Sequence, residues 1–309
     1  MQIVVYGAGA VGCFWGALLA RAGHDVRFIA RGAQLEALRT SGLRITSETL
    51  GEITLQPVSA AARAIGGAPA DLVLLSVKVH QTPPVLDDLA SVVDGGSVVL
   101  PMQNGLDADD LLRERFGDAR VLSSVVYVGA AIAHPGVVRH AARGLLIVGN
   151  PYGVPDARYR AVVEALGAPG LTIRPVEDIH YERWYKLMWN ASFNAVSALT
   201  FQTSRPILQE ASTRSVVEAA MRETAAVARA SGIALTDADV DRSLAETDRL
   251  PSIRTSMLDD REHGRPMEID GLVGTVVRRG AERGVATPVL STLYGLLTGM
   301  RPGPPPSLA

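Results

Sequence analysis

The chain has 309 residues, one cysteine and a formal net charge of -2, with 47% hydrophobic and 20% charged residues. That length suggests two domains, and the balance is that of an ordinary globular protein with ample core. No basic stripe with interleaved aromatics occurs, so a nucleic-acid partner is excluded, and the lone Cys13 excludes an internal disulfide and points to a reducing compartment.

The first predicted element is a strand, Ile3–Tyr6, which feeds the turn Gly7-Ala8-Gly9-Ala10-Val11-Gly12 and an apolar helix to Ala22. A second strand follows at Asp25–Ile29. Strand, glycine turn and helix in this order open a dinucleotide-binding unit. The first glycine permits the tight turn, the second lets the backbone approach a pyrophosphate, and the third lets helix and strand pack closely. The helix N-terminus offers N–H groups to the phosphates. This strand start, broken by glycines, is not a secretory leader. Cys13, just inside the helix, reads as a buried filler rather than a reactive thiol.

Further strands are expected at Leu72–Val77, Ser97–Leu100, Val121–Tyr127, Val137–His140, Leu145–Val148 and Leu171–Arg174. Helices are expected at Ala33–Thr40, Pro84–Val92 and Ala108–Phe116. Such alternation implies a mainly parallel sheet flanked by helices, with the closely spaced later strands as an antiparallel extension. The apolar stretch Val121 to Ala133 is too short to span a bilayer. From Ile179 onward only helical patterns occur. They are punctuated at Arg205-Pro206, Ser231-Gly232, Leu250-Pro251, Gly264-Arg265-Pro266 and Thr287-Pro288, which read as successive helix starts. The fold class is therefore α/β, a doubly wound Rossmann-type sheet over residues 1–176 followed by an all-helical domain over 177–309. The Pro-rich tail 301–309 is expected to be loose. The apolar helices of the second half offer a surface for a homodimer. A soluble, cytoplasmic protein is expected, with no membrane partner.

The second strand ends Ile29-Ala30-Arg31, with a guanidinium where an NAD-binding unit places a carboxylate. Arg31 there selects NADP(H) over NAD(H), unless it merely faces water. Ligands of open sheets bind beyond the carboxyl ends of strands, which places Lys78 and Gln81 near the cofactor. Asn104, after the next strand, offers both a donor and an acceptor, or else belongs to a plain Asn-Gly turn. His80, His134 and His140 have no identifiable role, and no spaced His/Cys cluster suggests a metal.

The segment Trp184 to Asn194 is apolar nearly all round and reads as a buried helix. Lys186, Asn190 and Asn194 are spaced four apart and share a face. A stripe of one Lys and two Asn on a buried helix needs partners, and the economical account is a polar cleft between the domains; a structural hydrogen-bond network is the alternative. Glu268 is a candidate partner carboxylate near a helix start, and Ser256 lies twelve residues before it. Asp259, Asp260, Arg261 and Glu262 read as a solvated helix face.

Taken together, these residues resemble the ketopantoate reductase family. The match runs through Gly7/Gly9/Gly12, Arg31, Val77-Lys78-Val79-His80-Gln81 and Gln103-Asn104-Gly105. It continues through Lys186-x3-Asn190-x3-Asn194, Ser256-Met257-x2-Asp259, Glu268-Ile269-Asp270-Gly271 and Thr287-Pro288. The resemblance implies NADPH-dependent reduction of 2-dehydropantoate to (R)-pantoate, a step towards pantothenate and coenzyme A, without a metal, at a site between the two domains. It implies that Lys186 is the general acid and that Glu268 holds the substrate hydroxyl or orients Lys186. Asn190, Asn194 and Ser256 then bind the small 2-oxo acid, and Asn104 touches both ligands. Ala130 and Glu268 join Gly7, Ala8, Gly9, Ala10, Val11, Gly12, Arg31, Lys78 and Gln81 around the cofactor.

The chain departs from the pattern at Ala195, where some relatives have proline, and at Ser204, where some place another substrate-binding Asn. Those departures bear on substrate identity more than on reaction type. The competing readings are an NADP-dependent reductase of another branched 2-oxo acid and a non-catalytic NADP-binding regulator.

Overall fold

The computed structural model describes residues 1–153, 156–167 and 171–300. The proposed loose tail 301–309 lies outside the described residues. The chain divides into two units. The first comprises Met1–Asn104 and Ala108–Ile179, the second Gly105–Asp107 and the chain from His180 onward. The segment Gly105–Asp107 is one that a single cut in the sequence does not assign to the second unit.

The first unit contains strands β1 (Gln2–Tyr6), β2 (Asp25–Ile29), β3 (Leu43–Ser47), β4 (Gly51–Leu55), β5 (Ser59–Ala61), β6 (Leu72–Leu75), β7 (Val98–Pro101), β8 (Ser123–His134), β9 (Val137–Gly149) and β10 (Thr172–Pro175). Helices α1 (Ala10–Arg21), α2 (Gly32–Thr40), α3 (Leu86–Ala90), α4 (Asp107–Phe116) and α5 (Ala157–Leu166) run among them. One sheet is wholly parallel, in the order β5-β2-β1-β6-β7. Numbered among themselves these strands run 3-2-1-4-5, the Rossmann order, which reverses beside β1. Strands β6 and β7 are buried along their whole length, as continuous apolar runs in a sheet covered on both faces should be.

The second sheet is a separate one, not an extension of the first. One edge of β9 carries β8 in an antiparallel hairpin; the other is shared by β3 along Val137–His140 and β10 along Leu145–Val148, both parallel to it. The hairpin partner of β3 is β4. Helix α1 packs against strands of both sheets. This explains why Cys13, Phe14, Trp15, Ala17, Leu18 and Leu19 are all buried: a helix covered on every side must be apolar on every side. His140 is part of that core and not incidental. It is fully buried, stacks on Phe14 with 4.3 Å between ring centroids, and bonds Ser47 Oγ at 2.7 Å.

The second unit is helical: α6 (Ile179–Trp189), α7 (Ala195–Thr200), α8 (Ser204–Gln209), α9 (Ala211–Ala230), α10 (Asp237–Arg249), α11 (Ser256–Glu262), α12 (Thr275–Glu282) and α13 (Pro288–Thr298). Between α6 and α7, and again before α12, the backbone makes one π-helical turn, over Asn190–Asn194 and Asp270–Gly274. Thr236 caps α10 reciprocally with Asp239, Thr255 caps α11, and Pro288 occupies the first turn of α13. Of the expected helix starts, only 205–206 and 287–288 fall in first turns; 231–232 closes α9, and 251 and 266 lie in the connections. Among the described residues no helix is long and apolar enough to cross a membrane.

Candidate active site

In the first unit, the glycine turn lies at the carboxyl end of β1, where the strand order reverses. Gly7 has φ +103°, and a β-carbon on it would lie 2.7 Å from Val77 N. A β-carbon on Gly12 would fall 2.3 Å from Gly7 O and 2.4 Å from Ser76 Oγ, so this glycine is needed for close packing of α1 on β1. Gly9 differs: a β-carbon there would meet no protein atom within 4 Å. Its missing side chain serves nothing inside the chain, which fits a surface approached by a phosphate ligand. Gly9 is also the N-cap of α1 and supplies no side-chain acceptor to the first-turn N–H groups, including those of Ala10, Val11 and Gly12. Ala8 is buried, and its carbonyl accepts bonds from Cys13 Sγ and Gln34 Nε2. Burial pushes the Cys13 thiol up to about 12, although the Gln34 bond acts the other way. The thiol stays protonated and unreactive at neutral pH.

Arg31 is exposed at the end of β2, immediately before α2. Lys78 and Gln81 sit on the loop after β6, half-buried and exposed, with Gln81 Oε1 accepting the Lys78 N–H at 3.2 Å. Gln103 pins this loop: its Nε2 donates to Val77 O at 2.7 Å and to the buried Thr82 Oγ1 at 2.8 Å. Asn104 follows β7, half-buried, as the last residue of the first unit before the crossing at Gly105. Ala130 lies on β8, in the second sheet opposite His140. It packs against the core cluster that contains Ala8 and takes in Ala10 and Val11 at its edge. His80 is exposed.

In the second unit, α6 is not buried all round. Tyr181, Glu182, Tyr185 and Lys186 are only half-buried, and complete burial begins at Asn190. The π-turn alters the stripe. Four α-helical residues from Lys186 to Asn190 overshoot a full turn by about 40°. The wider i→i+5 turn from Asn190 to Asn194 needs more than four residues per revolution and falls short. The offsets have opposite signs, so Lys186 and Asn194 line up more closely than in an uninterrupted α-helix. Ser192 supports the turn by donating its hydroxyl to the carbonyls of Met188 and Trp189, at 2.9 and 3.1 Å. Asn190 is buried, and Asn194 is almost sealed, with its Oδ1 lacking a partner.

The π-turn of Asn190–Asn194 packs against the π-turn of Asp270–Gly274 and against α11. Those two elements carry the remaining candidates. Glu268 is half-buried in the connection just before Ile269, with its carbonyl accepting the Leu272 N–H. Ser256 is the exposed first residue of α11. Its position is set by Thr255, whose hydroxyl caps α11 at Leu258 N and bonds Ser197 Oγ at 3.1 Å. Ser204 is buried and committed to the fold: its N–H donates to Ile253 O and its hydroxyl accepts from Ile253 N at 2.8 Å. Ala195 is fully buried at the start of α7.

Several supporting residues escaped the sequence reading. Tyr181, Tyr185 and Trp189 recur every fourth residue and fasten α6 to α10. Tyr181 OH donates to Asp239 at 2.8 Å and accepts from Arg242 at 2.7 Å. Tyr185 OH donates to Glu246 at 3.2 Å, and Trp189 Nε1 donates to Thr247 Oγ1 at 3.0 Å. Their spacing was visible, but their partners lie more than fifty residues away. The solvated face expected at 259–262 also needs correction. Asp260 is buried and bonded to Arg265, while Arg261 lies 3.9 Å over the Phe201 ring and donates to Ala198 O.

A glycine turn on a 3-2-1-4-5 sheet, joined to a helical unit whose polar stripe is built on a π-turn, defines a dinucleotide-dependent oxidoreductase of two units. The family model described as Ketopantoate reductase PanE/ApbA matches residues 3–153, and that described as Ketopantoate reductase PanE/ApbA C terminal matches 178–301. The chain belongs to the ketopantoate reductase family, whose members are pyridine-nucleotide-dependent reductases. A 2-dehydropantoate 2-reductase of Mesorhizobium japonicum is 35% identical to it over 318 residues, 96% of this chain and 97% of the relative. The crystal structure of a 2-dehydropantoate 2-reductase from Geobacter metallireducens GS-15 has a TM-score of 0.92 at 34% identity, over 96% of this chain and 99% of that one. D-mandelate dehydrogenase, solved with NADH and anilino(oxo)acetate, shares the fold, with a TM-score of 0.89 at 22% identity over 96% and 97% of the two chains.

Proposed function

We propose that the protein reduces 2-dehydropantoate to (R)-pantoate with NADPH, on the path to pantothenate and coenzyme A in the cytoplasm. The observation that carries this reading is the meeting, within the second unit, of three elements: the π-turn bearing Asn190 and Asn194, the π-turn preceded by Glu268, and the helix opened by Ser256. The open surface over Gly9 and the guanidinium of Arg31 suit a phosphorylated dinucleotide, with Lys78, Gln81, Asn104, Ala130 and Glu268 as its further contacts.

NADPH, when bound, supplies the hydride. The chain supplies the rest. Hydride attack on the C2 ketone builds negative charge on its oxygen. The Lys186 ammonium stabilises that charge and then donates its proton to the same oxygen as general acid. Glu268 orients the ammonium or holds the substrate hydroxyl. Asn190, Asn194 and Ser256 bind the hydroxyl and carboxylate, and Asn104 contacts both ligands. The unpartnered Asn194 Oδ1 supports its place in this set, since a buried acceptor without a donor costs about 1–3 kcal/mol.

The test is to follow NADPH absorbance with purified protein and 2-dehydropantoate. Turnover on this acid is expected; none on it or on any related 2-oxo acid would overturn the reading. One observation favours a second substrate. Ser204, where the family resemblance leads to the expectation of a substrate-binding Asn, is instead tied into the backbone pairing with Ile253. A panel of branched 2-oxo acids decides between them by kcat/KM.

A further inference from the structure

Two arginines stand at the carboxyl end of the first sheet, one just after β2 and one just after β5. Strands β2 and β5 pair in parallel, with Ile29 opposite Ala61. Arg31 and Arg63 therefore each lie two residues beyond the last matched pair, at the same edge. Arg63 is held by a buried pair, while Arg31 is exposed. The Tyr6 phenol donates to Asp88 at 2.6 Å, and Asp88 in turn accepts from Arg63 Nε at 3.2 Å. Tyr6 and Asp88 are buried, whereas the Arg63 side chain is 66% exposed. An arginine held through Nε keeps both terminal nitrogens available as donors.

The loop carrying Arg63 is fastened on both sides. Asp88 accepts the N–H of Ala64 at 2.9 Å and of Ile65 at 3.2 Å, while Arg27 donates to Ala64 O at 2.9 Å. Asp88 is thus occupied by four donors, two of them backbone groups. Arg63 bonds a carboxylate already saturated with bonds, and Arg31 is exposed at the corresponding place after β2, so two guanidinium groups stand at this end of the sheet.

We propose that Arg63, positioned by Asp88, is the second half of a two-arginine clamp with Arg31 on the 2′-phosphate of the cofactor's adenosine. This deepens the NADPH reading and rests on it. A phosphate dianion matches two forked cations, and Arg63 distinguishes NADPH from NADH without touching the reacting atoms.

The test is calorimetric binding of NADPH, NADH, 2′,5′-ADP and 5′-AMP to the intact protein, in wild type, Arg63→Ala and Arg63→Lys. Wild type is expected to prefer NADPH over NADH and 2′,5′-ADP over 5′-AMP. Arg63→Ala is expected to weaken NADPH and 2′,5′-ADP about tenfold or more, the worth of a charge-assisted bond, with NADH and 5′-AMP unchanged. Arg63→Lys should recover part of that loss, since it restores the charge without the fork. If Arg63→Ala binds all four ligands as wild type does, or loses NADPH and NADH equally, the clamp is wrong while the NADPH reading stands. If wild type itself shows no preference for the 2′-phosphorylated ligands, the NADPH reading falls, and the clamp with it.

Discussion

Gly9 and Gly12 are three residues apart and serve opposite masters. At Gly12 a methyl group would drive into Gly7 O and Ser76 Oγ, both closer than 2.5 Å; at Gly9 it would enter open space. Gly12→Ala is therefore expected to lower Tm by several degrees through forced backbone shifts. Gly9→Ala should melt with wild type and bind NADPH at least several-fold more weakly. Thermal melts and calorimetry on both variants check this; normal NADPH affinity in Gly9→Ala would remove the phosphate cradle. The close packing at Gly12 was legible in the sequence because a turn between strand and helix is a local matter. The inertness of Cys13 was legible from its place in an apolar helix, although the burial that causes it comes from both sheets. The burial of His140 was not, since its partners Phe14 and Ser47 come from far along the chain.

Among elements, the alternation of Leu43 and Ile45 with Arg44 and Thr46 carried a strand signal, and Gly51 marked the hairpin turn. The hairpin went unread because each of its strands carries only two or three apolar residues among polar ones, with no glycine turn and helix after it to mark a strand. No sequence pattern announces a π-turn, so the four-residue spacing of Lys186, Asn190 and Asn194 was legible while the turn that interrupts it was not. The bond of Tyr181 from α6 to Asp239 on α10 has a pH signature. Burial pushes the Asp239 carboxyl up, but bonds from Thr236, Tyr181 and Arg242 outweigh it, and the net shift is downward. A carboxyl lowered in the folded state stabilises the fold above the ordinary range near pH 4 and loses that contribution as pH falls through its folded value. Asp239→Asn should therefore melt well below wild type at pH 7, with the gap closing below about pH 4. A gap independent of pH from 7 to 3 would refute this.

At the scale of the whole molecule, the glycine turn and Arg31 belong to one unit and Lys186 to the other. Lys186→Ala is therefore expected to cut kcat by roughly 10²–10⁴-fold, the usual span for losing a general acid. Its Kd for NADPH should stay within about twofold of wild type, because none of the glycine-turn contacts changes. Stopped-flow turnover beside fluorescence titration separates the two; surviving turnover would mean that another group delivers the proton. The two-unit division follows from a change of texture visible in the sequence, where β-branched runs give way to helical periods. The ownership of Gly105–Asp107 does not, because it depends on side chains 168 to 172 positions downstream.

Those three residues have a practical corollary for recombination between homologues. Leu106 is embedded in the helical unit's core, Gly105 O accepts from Arg183, and Asp107 binds Thr275, Arg278 and Arg279. A chimaera spliced only near position 179 would graft a native Asp107 onto foreign recipients and leave a mismatched plug in the acquired core. Transplanting 105–107 together with the downstream half keeps plug and socket from one parent, and such hybrids should express where the simple splice fails.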